Sequence, residues 1–189
     1  MKLNAILSIL CILVLGCSAF AGDNCPPPGF TALFNGTDLT NWKHDANTEQ
    51  HWKVVDGIIT YDGKNQNLPT EKDYKDFVLM VDWKIEKDGD SGIYLHGQPQ
   101  VQIWDNPIGS GGLYNDRNEP IRNVDRPVGE WNRFVIVMIN NRVTVIENNV
   151  RVVNAVPMHS INGVPPVGTI ELQHHNSPLW FKNIYIREL

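Results

Sequence analysis

Four short stretches of the chain set polar and aromatic side chains at alternate positions. In 90–97, DSGIYLHG, Tyr94 and His96 are two residues apart. In 100–105, QVQIWD, Gln100, Gln102 and Trp104 repeat with period two and are followed by Asp105. In 169–175, TIELQHH, Glu171, Gln173 and His175 keep the same spacing with His174 between them, and Asp82 and Lys84 form a fourth pair. Residues two apart on a strand share a face, so these sets predict a surface of amides, imidazoles, carboxylates and rings. That chemistry suits a polyhydroxylated sugar ring, which needs many hydrogen bonds and a flat stacking platform.

Histidine can give or take a proton near neutral pH, which makes His96 and His175, with Glu171, the acid–base candidates. Plainer readings stand beside these. Gln100, Gln102 and Trp104 also suit a solvated face, and Asp82 with Lys84 also suits a cross-strand ion pair. His174 and His175 beside Glu171 match no zinc spacing. Asp88, Asp90, Asp105 and Asn106 are hard oxygen ligands that could take Ca²⁺ without indicating it. No cofactor is required by the sequence.

The elements that must carry these residues read as strands. Phe77, Leu79, Val81, Trp83 and Ile85 alternate with Val78, Met80, Asp82 and Lys84, which predicts a strand over 76–85 with its first set in a core. Further strands are predicted over 52–55, 57–61, 91–96, 100–104, 131–139, 142–147, 150–153, 169–173 and 179–187, each bounded by Gly, Asn, Asp or Pro. Asn148-Asn149 suits a type I′ turn, because Asn tolerates positive φ. Strands without intervening helical periodicity predict an all-β protein of two packed antiparallel sheets, a sandwich in preference to a barrel. Residues 105–130 carry no alternating apolar run and read as a long functional loop.

The chain has 189 residues, 42% of them hydrophobic, and a formal net charge of -5. No stretch concentrates Lys or Arg, so contact with nucleic acid is not expected. Glycine-rich phosphate loops, dinucleotide fingerprints and G-x-S-x-G elbows are absent from the sequence, leaving nucleotide use, hydride transfer and serine-type acyl transfer without support. Met1 and Lys2, the apolar run from Ile6 to Leu15, and Ala19-Phe20-Ala21 read as a signal peptide over 1–21. The predicted location is periplasmic or extracellular. Val14-Leu15-Gly16-Cys17 resembles a bacterial lipobox, the alternative being a lipoprotein held to a membrane only through Cys17. Residues 22–28, ending in three prolines, read as a tether, and 29–189 as one domain. Of three Cys, only Cys25 is certain to remain after processing, so no internal disulfide is expected.

Taken together, GFTALFNGTDLTNWK (29–43), DWKI (82–85), DSGIYLHG (90–97), PQVQIWDN (99–106), GEWN (129–132) and IELQHHNSPLWFKNIYIREL (170–189) resemble the 3-keto-disaccharide hydrolase domain family. The resemblance implies a concanavalin A-like jelly-roll sandwich, of the lectin and glucanase type, in an exported bacterial protein acting on glycosides oxidised to a ketone at carbon 3. It implies an active face carrying Asp82, Lys84, Tyr94, His96, Gln102, Asp105, Glu171, Gln173 and His175. A carbohydrate substrate and an upstream sugar 3-dehydrogenase are the implied partners. A divalent cation could assist at the developing enolate. The alternative is a non-catalytic carbohydrate-binding domain of the same fold, with Trp104 and Tyr94 stacking on sugar. Many relatives carry Arg near the position of His96 and Glu near that of Gln100.

Overall fold

The computed structural model describes residues 22–64, 66–97, 100–114, 118–158 and 165–189. The predicted signal segment and lipobox lie outside these residues. The strands are β1 (Thr31–Ala32), β2 (Trp52–Val55), β3 (Ile58–Tyr61), β4 (Leu68–Pro69), β5 (Phe77–Ile85), β6 (Asp90–Leu95), β7 (Gln100–Trp104), β8 (Asn132–Ile139), β9 (Arg142–Glu147), β10 (Val150–Pro157), β11 (Ile170–Leu172) and β12 (Leu179–Glu188). The one helix among the described residues, α1, is the single turn Thr48–His51.

The strands form two antiparallel sheets. The larger runs β10-β9-β8-β5-β12-β3-β2, with β1 paired to β12, and the smaller runs β4-β11-β6-β7. Phe77, Leu79, Val81, Trp83 and Ile85 of β5 lie in one buried cluster with Ile93, Leu95, Val101, Ile103, Ile170 and Leu172 of the smaller sheet. Period-two alternation therefore fills the space between the sheets, as expected of an all-β jelly-roll sandwich.

Two tight turns pin the register of β8, β9 and β10. Asn148 and Asn149 join Glu147 to its partner Val150 with φ of 47° and 68°, the positive pair that a type I′ turn demands. Asn140 and Asn141 repeat the device between Ile139 and Arg142, with φ of 49° and 56°. On β12 the register with β5 shifts between Lys182 and Tyr185. Asn183 sits in that shift at φ 52°; a bulge of this kind turns the following side chains over. Phe181, Ile184 and Ile186 consequently all reach the core.

Part of the long loop is ordered as a sheet edge. Leu113 bridges both Val101 and Asn118. Gly111 N–H donates to Gln102 O at 2.8 Å, Gln102 N–H to Gly112 O at 2.8 Å, and Tyr114 N–H to Gln100 O at 3.0 Å. The outer side of β7 is thus paired by residues 111–114.

Candidate active site

With Ile93, Leu95, Val101, Ile103, Ile170 and Leu172 turned inward, the alternate residues of β6, β7 and β11 face away from the core. They are Asp90, Gly92 and Tyr94 on β6, Gln100, Gln102 and Trp104 on β7, and Glu171 on β11. Gln173 continues the β11 line, its N–H donating to Gly92 O. Gly92 is required here. A Cβ at that position would stand 2.9 Å from Gln100 Cδ and 2.8 Å from Val101 O, so the glycine leaves the space that the Gln100 side chain occupies.

An ordered string of amides crosses this face. Gln100 Nε2 donates to Gln102 Oε1 at 2.7 Å, and Gln102 Nε2 donates to Asp90 Oδ1 at 2.6 Å. The other Asp90 oxygen lies 3.9 Å from His175 Nε2. Burial pushes the Asp90 carboxyl above the usual carboxylate range, against the opposing pull of His175 and the Gln102 bond. Such a carboxylate is a stronger base than a solvated one.

At the other end of the face, Gln173 Nε2 donates to Tyr94 Oη at 3.1 Å. The phenol proton is then free for an acceptor outside the protein. Burial raises the Tyr94 pKa, offset in part by the Gln173 bond, so the hydroxyl remains a donor. Glu171 pairs with Tyr94 across the strands. Its two oxygens accept from Thr169 Oγ1 at 2.8 Å and Asn67 Nδ2 at 2.9 Å. Gln100 Oε1 and Gln173 Oε1 are buried acceptors that meet no donor among the described residues.

Two pockets flank the face. Beyond β7, a pocket of about 500 Å³ is lined by Gln102, Trp104, Ile108, Leu113, Tyr114 and Pro120, among others. Beyond β4, a more polar one of about 540 Å³ includes Lys43, His44, Asn67 and His174. Asn67 joins this second pocket to the face, since its Oδ1 accepts from the His174 N–H at 3.0 Å and lies 2.7 Å from His174 Nδ1.

The face therefore brings together Tyr94, Gln102, Trp104, Glu171, Gln173 and His175 of the expected site, with His174 at its margin. It does not bring the others. His96 leaves β6 at φ 54°, which breaks the alternation that would have set it beside Tyr94. It is 3% exposed, its ring meets the edge of core Phe77 at 6.1 Å, and its Nδ1 lies 3.1 Å from Pro165 O. Burial lowers its pKa and keeps it neutral.

Asp82 and Lys84 belong to the opposite surface of the molecule. They share a parity with Val78 and Met80, which pack in the separate cluster outside the larger sheet. Asp82 accepts from Arg133 Nη2 at 2.8 Å and from Asn183 Nδ2 at 2.7 Å, and Lys84 stands over the Trp180 and Trp131 rings. The cross-strand ion pair expected here is thus made by Asp82 with Arg133, whereas Lys84 packs over rings instead. Asp105 braces the β5–β6 turn instead of the face, its Oδ2 accepting from Asp88 N–H at 2.7 Å.

Three site residues were outside the expected set. Asp90 reads from sequence as an oxygen ligand for a cation, and its parity with Tyr94 is the signal that places it on this face. Gly92 shares that parity. Asn67 comes from a stretch without periodicity, and no sequence signal points to it. Among the described residues no group of three or more His, Cys, Asp or Glu side chains could hold a metal ion.

Known proteins share the fold and the family. A 3-keto-disaccharide hydrolase from Bacteroides thetaiotaomicron is 22% identical, over 85% of this chain and 79% of its own. A crystal structure from Parabacteroides distasonis, provisionally named a glycosyl hydrolase, superposes with a TM-score of 0.76 at 25% identity, covering 89% of this chain and 100% of that one. The carbohydrate binding module CBM66 from Bacillus subtilis shares the fold, with a TM-score of 0.54 at 12% identity over 85% of this chain and 96% of its own. The model of the 3-keto-alpha-glucoside-1,2-lyase-like domain matches residues 29–187, and the chain belongs to that family of glycoside-acting domains.

Proposed function

We propose that the protein cleaves the glycosidic bond of 3-keto-glycosides on the outer face of the smaller sheet. The observation that carries this reading is Asp90, a carboxyl pushed up by burial that stands 3.9 Å from His175 on this face. A 3-ketone needs one base, one proton donor for the leaving oxygen and one donor at the enolate oxygen. Asp90, His175 and Tyr94 can fill those roles.

The ketone acidifies the hydrogen on carbon 2. Asp90 takes it as a proton, and the C–H electron pair passes into the enolate, whose oxygen accepts a hydrogen bond from Tyr94 Oη. The enolate then collapses: carbons 1 and 2 become doubly bonded, the bond from carbon 1 to the glycosidic oxygen breaks, and that oxygen leaves with its electron pair. It gains a proton from His175, which stands beside the base. Addition of water across the new double bond completes a net hydrolysis.

The substrate requires prior oxidation at carbon 3 by a separate sugar 3-dehydrogenase, since the sequence has no nucleotide motif. Export, by the signal segment or through a lipid anchor at Cys17, is part of the same reading. Incubation with a 3-keto-disaccharide and with its unoxidised parent tests it. Turnover of the first alone is expected, and binding without any turnover would leave a carbohydrate-binding domain instead.

A further inference from the structure

The pocket beyond β7 differs in chemistry from the polar face that it adjoins. Its walls are mainly Trp104, Ile108, Leu113, Tyr114 and Pro120, with Asn118 and Glu119 on one side, and Gln102 lines both it and the face. The described residues include eight large apolar side chains that remain exposed, and three of them, Trp104, Ile108 and Tyr114, line this one pocket. Single exposed apolar residues are ordinary, whereas a concave group of them marks a binding surface.

We propose that this pocket is the leaving-group subsite and that it takes an aromatic aglycone, so that the preferred substrates are aryl 3-keto-glycosides and not 3-keto-disaccharides. The inference rests on the proposed reaction for the position of the sugar ring, and on the pocket alone for the nature of its neighbour. A second pyranose would bring several hydroxyls against Leu113, Ile108 and Pro120, where they would lose water with few polar groups, chiefly Asn118 and Glu119, to replace it. A phenyl ring needs no such partners, and Trp104 and Tyr114 offer it aromatic faces and edges. The position is also chemically apt. Gln102 donates to the base Asp90 at 2.6 Å, so a sugar seated over Asp90 directs one end toward the Gln102 side of the face. Elimination then releases a phenol, the C1–O electron pair leaving on an oxygen that holds negative charge better than an alkoxide.

The test is calorimetric and does not need turnover. The full chain is titrated with phenyl glucosides of both anomers, and with maltose and cellobiose as the matching disaccharides. At least one phenyl glucoside is expected to bind about 10-fold or more tightly than either disaccharide. Ile108→Asn and Tyr114→Ala should each remove most of that preference while leaving disaccharide binding within about 2-fold. Equal affinity for the two ligand classes, equal losses for both in the variants, or no binding by any of them would overturn the inference. Kinetics with phenyl and glucosyl 3-keto-glucosides separate it from the reading on which it rests. Turnover of both with no aryl preference sinks the aglycone pocket alone, whereas an aryl preference in binding without turnover of either sinks the reaction and leaves the pocket standing.

Discussion

Gln102 donates its Nε2–H to Asp90 across the β6–β7 pair at 2.6 Å while accepting from Gln100. Both ends of the Gln102 amide are therefore committed, and its orientation is fixed by neighbours on two strands. The base is consequently held by a partner that cannot rotate without breaking two bonds, a form of preorganisation that costs nothing during the reaction.

Asp90→Asn should lower kcat/KM for a 3-keto-glycoside by about 100-fold or more, since it removes the base without changing side-chain volume. In the unsubstituted protein the acidic limb of the pH–rate profile should lie above the ordinary carboxylate range, because burial raises the Asp90 pKa. A raised carboxyl contributes stability that is complete below its unfolded pKa and is lost as pH rises through its folded value. Asp90→Asn should thus be at least as stable as the parent at neutral pH. Thermal melts beside the kinetics check both statements.

Tyr94→Phe should reduce kcat more than it changes KM, by about 10-fold to 100-fold, because the hydroxyl acts on charge that develops only in the transition state. Steady-state kinetics against both phenyl and disaccharide substrates measure the split.

His96→Gln should leave turnover nearly unchanged and lower the melting temperature, the reverse of what a catalytic histidine would do. Its buried ring has a depressed pKa. The stability that it contributes is therefore present above its unfolded pKa, near 6.5, and lost as pH falls through the folded value. The parent should accordingly be acid-sensitive in a range where His96→Gln is less so, which melts from pH 7 to pH 4 would reveal.

Glu147 is fully buried at the end of β9, and burial followed by repulsion from Asp125 pushes its pKa up to about 9. Neither of its oxygens meets a donor among the described residues, while Asp125 accepts from both Ser110 N–H and Ser110 Oγ. A proton on Glu147 thus relieves its repulsion with Asp125, between the larger sheet and the long loop. Its folded pKa is raised, so its contribution is complete below about 4.5 and declines up to about pH 9, by at most about 1.4 kcal/mol per unit. Glu147→Gln should flatten that decline in denaturation curves collected between pH 5 and pH 9.

Leu79→Ala should cost about 2–5 kcal/mol, since Leu79 is 1% exposed in the core and the cavity would not close. Urea unfolding gives the value directly.

Alternation alone made most of this face legible. Ile93, Val101, Ile103, Ile170 and Leu172 fixed the inward set, and Tyr94, Gln102, Glu171 and Gln173 followed by parity. The same rule failed at His96, where one residue of positive φ ends the strand. It also could not tell which of two sheets a polar residue decorates. Asp82 and Tyr94 are both outward, yet on opposite surfaces of the sandwich, because strand order is set by pairings among residues distant in sequence. Asn67 reaches Glu171 across 104 positions, a contact that periodicity does not encode.

The pairing of residues 111–114 with β7 has a consequence for self-association. An open sheet ends in unsatisfied N–H and C=O groups that invite another chain to add itself. Here the segment that does the covering also supplies Leu113 and Tyr114 to the apolar pocket. Shortening this segment to widen ligand choice would therefore strip β7 of its partner, and the same edit that relaxed specificity would make the protein prone to edge-to-edge aggregation.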